Sequence, residues 1–470
     1  MTQQKQTQSY LVPFIIMVVL MALIGLITNL NQQFQAPMKA AYLLLGGGLT
    51  NTLTTALILT FFLAYLVMGV PSAKYIERKG YKSSLILGLV ILIAAFGLFE
   101  LSAYVFDTLD FPNFSDAINE AKAILAQKDM SQKDMGVSAM QAVANQTGNF
   151  ELKLVKKTGE FLELNYLKGT VIPMAYWVFL LASFVAGTAL TFLQAVVNPY
   201  LVACDVKGTS AVQRQSIAGA GNSTMTTIGP LLVALLIFQG KSGLDINITS
   251  LYVPIAVLII LVGVIIFALS KLELPNIASA EKKEGEVLEK SVWSFSHLTL
   301  GVVAIFMYVG VEVAVGANIN LYAMSEGFNL ATAAKMASLY WGGMLVGRLL
   351  GSILSKISAS TQLTVASIGA GVLVVIAMLA NNPWILVFVG LFHSIMWPAI
   401  FSLAIDKLGK YTSAGSGALM MGVVGGAILP FIQGIAADSI GWQWTWAIVV
   451  IGEAYLLYYA LVGHKVRQLP

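Results

Sequence analysis

Glu312 stands midway along the apolar stretch 297–322. An ionisable group in such a stretch is costly and usually faces a cavity or a partner. Its carboxyl can accept hydrogen bonds from hydroxyls or carry an exchangeable proton. Alternatively it is neutral and bonded to a neighbouring helix. Side-chain amides recur in the other apolar stretches. Asn29, Gln32 and Gln33 follow i, i+3, i+4 spacing, which places them on one helical face, and Gln194 and Asn198 are four apart. Asn222, Asn318 and Asn320 add to the set, with Gln433 further on. Each amide offers a donor and an acceptor with no charge to desolvate, which suits an uncharged solute rich in hydroxyls. The same groups also tie membrane helices together. His393 and Trp397 are four apart, and Trp341 lies in another stretch. An indole can stack on the face of a ring while an imidazole bonds beside it, or both can be core.

The charged candidates are few. Arg348 lies in the stretch 331–355 and reads as a gating or structural charge. Arg78 and Lys79 belong to the basic run from Lys74 to Lys82, which reads as a topology signal with a gating role added. Glu100 and Glu453 lie nearer stretch ends and read as structural. The single cysteine, Cys204, leaves no intramolecular disulfide or cysteine-rich metal site. His297, His393 and His464 are too scattered for a histidine metal site. No G-x-x-x-x-G-K-[ST] loop, Ser/His dyad or pair of catalytic acids occurs. We therefore expect no enzyme activity, no cofactor and no metal. A net charge of +4, scattered along the chain, suggests no nucleic-acid partner.

These residues must be positioned by something very apolar. Of 470 residues 57% are hydrophobic and 11% charged, and mean hydropathy is +0.80. A soluble domain is about 45–50% apolar and about 25% charged, so an ordinary soluble protein is excluded. A bilayer core of about 30 Å takes roughly 20 apolar residues per helix. Twelve such stretches are predicted, near 10–31, 50–71, 83–106, 172–195, 212–238, 250–270, 297–322, 331–355, 361–380, 383–405, 413–436 and 442–463. Nothing in the sequence suggests a sheet. Lys and Arg gather in alternate short loops, which predicts both termini in the cytoplasm and a place in the inner, or plasma, membrane. The fold class is thus an all-α integral membrane protein of twelve helices in two six-helix bundles, expected as a monomer. Residues 1–270 form the first bundle, 271–296 a cytoplasmic linker and 297–470 the second bundle. Residues 107–170 are an insertion on the outer side, with helical spacing from Ser115 to Gln127.

The two bundles echo each other. Pro199 precedes Pro230 by 31 residues, and Pro398 precedes Pro430 by 32. Asp205-x-Lys207-Gly208 follows the first proline of one pair, and Asp406-Lys407-x-Gly409 that of the other. A duplicated bundle with a central linker is the plan of alternating-access transporters, whose substrate sits between the halves.

Residues 69–82 resemble the basic loop of the major facilitator superfamily, without its usual Asp-Arg pair. Asn29-Leu30-Asn31, Leu193-Gln194 with Asn198-Pro199-Tyr200, and residues 308–313 (YVGVEV) resemble the fucose–galactose–glucose:proton symporter family. Residues 347–352 (GRLLGS), 401–405 (FSLAI) and 425–430 (GGAILP) fit as well. The resemblance covers nearly the whole chain outside 107–170, and it is closer to the glucose/galactose branch. Members that carry fucose have acids where this chain has Gln32 and Gln194. The resemblance implies import of a hexose, with H+ or Na+ as co-transported partner and Glu312 as the coupling residue. Together with the residue chemistry above, the expected substrate contacts are Asn29, Gln32, Gln194, Asn198, Asn222, Glu312, Asn318, Trp341, His393 and Trp397, with gating by Arg78, Lys79 and Arg348; His393 departs from the family, whose members tend to have a smaller polar residue there. The alternatives are facilitated sugar transport, transport of an amino sugar, a peptidoglycan fragment or a drug, and a membrane sensor or scaffold built on the insertion.

Overall fold

The computed structural model describes residues 10–43, 49–113, 115, 135–144, 149–156, 161–167, 172–204, 206–209, 211–238, 251–274, 290–351 and 357–466. Long helices fill most of it: α1 (Leu11–Gln33), α2 (Gln35–Tyr42), α3 (Thr50–Val105), α4 (Met174–Ala203), α5 (Ala211–Val233), α6 (Tyr252–Lys271), α7 (Ser296–Ser325) and α8 (Leu330–Gly351). They continue as α9 (Ala359–Ala380), α10 (Val389–His393), α11 (Met396–Ala404), α12 (Thr412–Met421), α13 (Gly425–Ile440) and α14 (Trp442–Tyr458).

Among the described residues nine helices are long and apolar enough to cross a membrane, or ten if one bent pair is a single span. That pair is Pro383–His393 with Met396–Ala404, bent by 41°. The helix α3 is not straight. Gly80 takes φ 79° and ψ 174°, outside helical geometry, so α3 is two span-length segments joined at a sharp break. A side chain there would be strained, whereas glycine has no Cβ to clash. The 22-residue α8 is the length of a span but carries Lys335 and Arg348.

Apolar periodicity explains how the helices sit. On α6, Val253, Val257, Ile260, Val264 and Phe267 are all more than half exposed, while Ile255, Val262 and Leu269 are buried. An exposed apolar stripe opposite a buried one belongs to a helix with lipid on one side and protein on the other. α3 packs along α4 and α1 along α5, while α13 meets α3 and α8 meets α5 across the molecule.

One part of the sequence reading is corrected. Met135–Ala144, Asn149–Lys156 and Phe161–Leu167 form an antiparallel sheet, β1–β2–β3, with Phe150 opposite Tyr166 and Leu152 opposite Leu164. The alternation Phe150-Glu151-Leu152-Lys153-Leu154 is a strand pattern, too short and too polar to stand out beside the long apolar runs. The sheet lies within the 107–170 insertion, so the membrane-crossing elements remain helical. The expected helix from Ser115 to Gln127 falls, beyond Ser115, outside the described residues, and so does most of the expected linker.

At one end of the bundle, N-terminal and C-terminal helices are stitched together. Gln33 Nε2 donates to Gly316 O at 3.4 Å, and Asn320 Nδ2 donates back to Gln33 Oε1 at 3.2 Å. Gln35 Nε2 donates to Ala317 O and to Asn318 Oδ1, each at 3.3 Å. Asp438 accepts from the backbone N–H groups of Asn51 and Thr52, both at 2.8 Å. Gly434 lies so close to Thr55 that a Cβ at this position would overlap the threonine side chain. We refer to this as the Asp438 end.

Candidate functional site

Immediately inside the Asp438 end is a cavity of about 190 Å³. Ile24, Gly25, Thr28 and Gln32 of α1 and Phe62 of α3 form one side, with Gln194 of α4 and Asn222, Ser223 and Thr226 of α5. Val309, Glu312 and Val313 of α7 and Trp341, Met344 and Arg348 of α8 form the other. Thr28 and Gln32 are four residues apart, as are Asn222 and Thr226 and also Val309 and Val313, so each helix presents one face to the space. The close approach of α1 to α5 depends on Gly25, where a Cβ would stand 2.5 Å from the Asn222 carbonyl oxygen. That approach lets Asn222 Nδ2 donate to Met21 O at 3.0 Å.

The polar atoms here are only partly satisfied. Gln194 Nε2 donates to Tyr65 Oη at 3.1 Å. Gln32 Oε1 and Trp341 Nε1 are buried and have no hydrogen-bond partner within the protein. Leaving such a group unmatched costs about 1–3 kcal/mol, so a small side-chain turn that brings either atom to a ligand relieves a penalty already present. The charged pair lies toward the open side of the cavity. Arg348 Nη1 donates to Ser223 Oγ at 2.5 Å, and Arg348 Nη2 lies 3.9 Å from Glu312 Oε1. The Arg348 side chain is 41% exposed and that of Glu312 14%, so the cavity opens on the Arg348 side, away from the Asp438 end. One cation and one anion facing each other leave the cavity without net charge, as suits a neutral polar solute.

Six residues expected from the sequence therefore line one space: Gln32, Gln194, Asn222, Glu312, Trp341 and Arg348. The others lie elsewhere. Asn29 is fully buried against Gly229, and both its amide atoms lack partners. Asn198 is half-buried, further along α4. Asn318 is buried in the stitched end, where Nδ2 donates to Gln433 Oε1 at 2.9 Å and to Pro430 O at 3.3 Å. Trp397 packs with its ring centroid 6.2 Å from that of Tyr308. His393 is fully buried behind the cavity wall, 2.7 Å from Tyr340 Oη and 2.8 Å from Glu453 Oε1. Arg78 and Lys79 are exposed beside the Gly80 break. The sequence reading missed Thr28, Ser223 and Thr226 as lining residues. Thr28 and Thr226 carry a usable signal, since each lies four residues from a lining amide. Among the described residues no group of three His, Cys, Asp or Glu side chains is placed to hold a metal.

Residues 167–428 match the Major Facilitator Superfamily model. A "Glucose/galactose transporter" of Brucella abortus is 36% identical over 301 residues, covering 62% of this chain and 72% of that protein. The "L-fucose-proton symporter" of Escherichia coli is 23% identical over 454 residues, covering 93% of this chain and 89% of the symporter. The crystal structure of a D-xylose-proton symporter superposes with a TM-score of 0.62 at 12% identity, covering 98% of this chain and all of that one. At that identity the likeness speaks for the fold.

Proposed function

The chain belongs to the Major Facilitator Superfamily, and from that premise we propose that it is a secondary active transporter importing a hexose of the glucose/galactose type, with H+ as the co-transported ion. The observation that carries this reading is the amide-lined cavity with Gln32 Oε1 and Trp341 Nε1 left unmatched. Hydroxyls of a pyranose, each both donor and acceptor, complement the amides of Gln194 and Asn222, and also these two atoms once their side chains turn toward the cavity. The Trp341 ring adds an apolar face for the C–H side of the sugar. The names of the relatives, a glucose/galactose transporter and a fucose–proton symporter, support the substrate class and the ion.

In this reading the chain has twelve spans in two six-helix halves, residues 1–270 and 297–470, joined by 271–296, and lies in the inner membrane with both termini in the cytoplasm. The stitched Asp438 end then faces outward, and the cavity opens inward past Arg348. Sugar leaves on that side. Return to the outward-facing state requires the stitches at Gln33, Asn320 and Asp438 to part while the Arg348 side closes, which is alternating access. Glu312 is the cavity group able to take up a proton. When it does, its attraction for Arg348 falls, and Arg348 is left held by Ser223 alone of these two partners.

The test is uptake by proteoliposomes holding the purified protein, with a panel of labelled hexoses under imposed pH and Na+ gradients. Accumulation of a hexose driven by the pH gradient is expected. Uptake equal to that of empty vesicles for every hexose would overturn the reading. Accumulation driven by Na+ alone, or mere equilibration, would replace the ion but keep the sugar.

A further inference from the structure

Behind the cavity wall, outside the space the sugar would occupy, four helices meet at one histidine. His393 ends α10 where the tenth span bends by 41°. Its Nε2 lies 2.8 Å from Glu453 Oε1 of α14, and its Nδ1 lies 2.7 Å from Tyr340 Oη of α8. Its backbone carbonyl, at the break in the helix, accepts from Tyr308 Oη of α7 at 3.1 Å. His393 is fully buried and Glu453 is 2% exposed.

We propose that the His393–Glu453 pair is a proton-binding site, joined through Tyr340 to the cavity wall and placed at the bend of the tenth span to couple proton occupancy to rocking. This rests on the reading of the chain as a proton-coupled sugar transporter.

Hydrogen counting gives the occupancy. Tyr340 Oη lies within bonding distance of two atoms, His393 Nδ1 and, at 3.1 Å, Glu312 O. A carbonyl only accepts, so the single hydroxyl hydrogen goes to Glu312 O when that bond is made. The Tyr340 oxygen can then meet Nδ1 only as an acceptor, so Nδ1 carries hydrogen. The Nε2 to Glu453 bond contains one further proton, on either atom. With the Tyr340 hydrogen on Glu312 O the arrangement is thus the loaded, neutral one. Removing one proton leaves neutral imidazole with hydrogen on Nε2 and a carboxylate on Glu453. Nδ1 then accepts from Tyr340, whose hydroxyl turns away from Glu312 O. The unloaded pair carries a buried negative charge, costly in such surroundings, and Glu453 Oε2 has no partner to spread it. Loss of the proton thus favours rearrangement of α10 against α8 and α14.

The groups facing the pair are few. Tyr308 and Glu312 come from α7 and Tyr340 from α8, with Arg348 of α8 standing beyond Glu312. Helices α9 and α11, which also pack here, carry no ionisable side chain. Glu312 is therefore the cavity-side group able to exchange a proton with the pair, and Arg348 acts only through its charge on Glu312.

The experiment uses the full chain in proteoliposomes and compares wild type, E453Q, H393N and Y340F. Galactose and glucose exchange report folding and sugar passage, and a pH-sensitive dye reports protons moved on sugar addition. Infrared difference spectra report titrating carboxyl and imidazole groups. Exchange is expected to persist in E453Q and Y340F while sugar-evoked proton movement is lost. The pH-dependent carboxyl and imidazole bands of the wild type should vanish in E453Q and H393N. Undiminished proton movement in both E453Q and Y340F would overturn the proposal and leave proton-coupled transport standing. A wild type that carries sugar without protons would overturn that coupling instead. In that case the infrared bands alone decide whether the pair binds a proton, and their absence overturns it. If E453Q loses exchange as well, Y340F decides, because it keeps the aromatic ring and removes only the hydroxyl.

Discussion

Asp438 caps the first turn of α3 from 386 residues further along the chain than Thr52. Its Oδ2 accepts from the Thr52 backbone N–H at 2.8 Å and from Thr52 Oγ1 at 2.6 Å, while Oδ1 accepts from the Asn51 N–H at 2.8 Å. A helix N-terminus has unmatched N–H groups and a partial positive charge, so a carboxylate satisfies both needs. A cap is ordinarily local. Here it comes from the other half of the molecule, so the helix end is complete only while the Asp438 end is closed.

Replacing this carboxylate therefore changes a conformational balance rather than the fold. Loss of a cap costs about 0.5–2 kcal/mol, which in D438A falls on the closed state alone and shifts the open-to-closed ratio about 2- to 30-fold. Alkylation of a cysteine placed in the cavity, from the outer side of right-side-out vesicles, should rise accordingly. Unchanged labelling would show that the cap does not hold the seal.

Gly434 makes the same point by volume. G434L puts four carbons where Thr55 already stands, and overpacking of this kind costs about 1–3 kcal/mol or more. Sugar exchange should be lost while the purified protein still binds sugar from the outer side. Normal exchange would show that α3 and α13 need not approach this closely.

The sugar contacts are separable by size of effect. W341F keeps an aromatic face but removes the indole N–H, and the loss of one hydrogen bond of about 0.5–1.5 kcal/mol predicts binding about 2- to 12-fold weaker. Q32L and Q194L should each weaken binding by a similar or larger factor in isothermal titration. N318L, altering an amide tied to Gln433 rather than to the cavity, should leave affinity unchanged and lower thermal stability instead.

One acidic group outside the spans gives a pH signature. Glu326 follows the last residue of α7, and burial pushes its carboxyl above the ordinary 4.5, against the pull of the Asn381 amide that donates to it. A raised value in the folded state means that the folded protein holds this proton more tightly than the unfolded chain. The stabilising contribution is full below pH 4.5 and is lost as pH rises through the folded value. Melting temperatures of wild type and E326Q in detergent should coincide near pH 4 and diverge in favour of E326Q toward neutrality. A constant difference at all pH values would refute this linkage.

The membrane-crossing elements were legible because each one is a run of apolar residues of fixed minimum length, a constraint set by the bilayer and not by neighbours. The cavity was half legible. Gln32, Gln194, Asn222, Glu312, Trp341 and Arg348 could be named because polar groups in apolar helices must be satisfied somewhere. What the sequence could not say is where. Asn318 satisfies Gln433 and His393 satisfies Glu453, and those meetings depend on how helices distant in sequence turn toward each other. Glu453 lies nearer a stretch end, where the sequence suggests a structural group, and its pairing with His393, 60 residues away, has no signal in the sequence.

The unmatched atoms of the empty cavity bear on rate as well as affinity. Gln32 Oε1 and Trp341 Nε1 are already shut off from water and unpaired here, and an empty cavity closed from both sides offers them no partner to turn to. A loaded carrier crosses that occluded point with the same atoms bonded to sugar. In the transport cycle proposed above, the return of the empty carrier is then expected to be the slow half, and sugar waiting on the far side should speed the exit of labelled sugar from the near side.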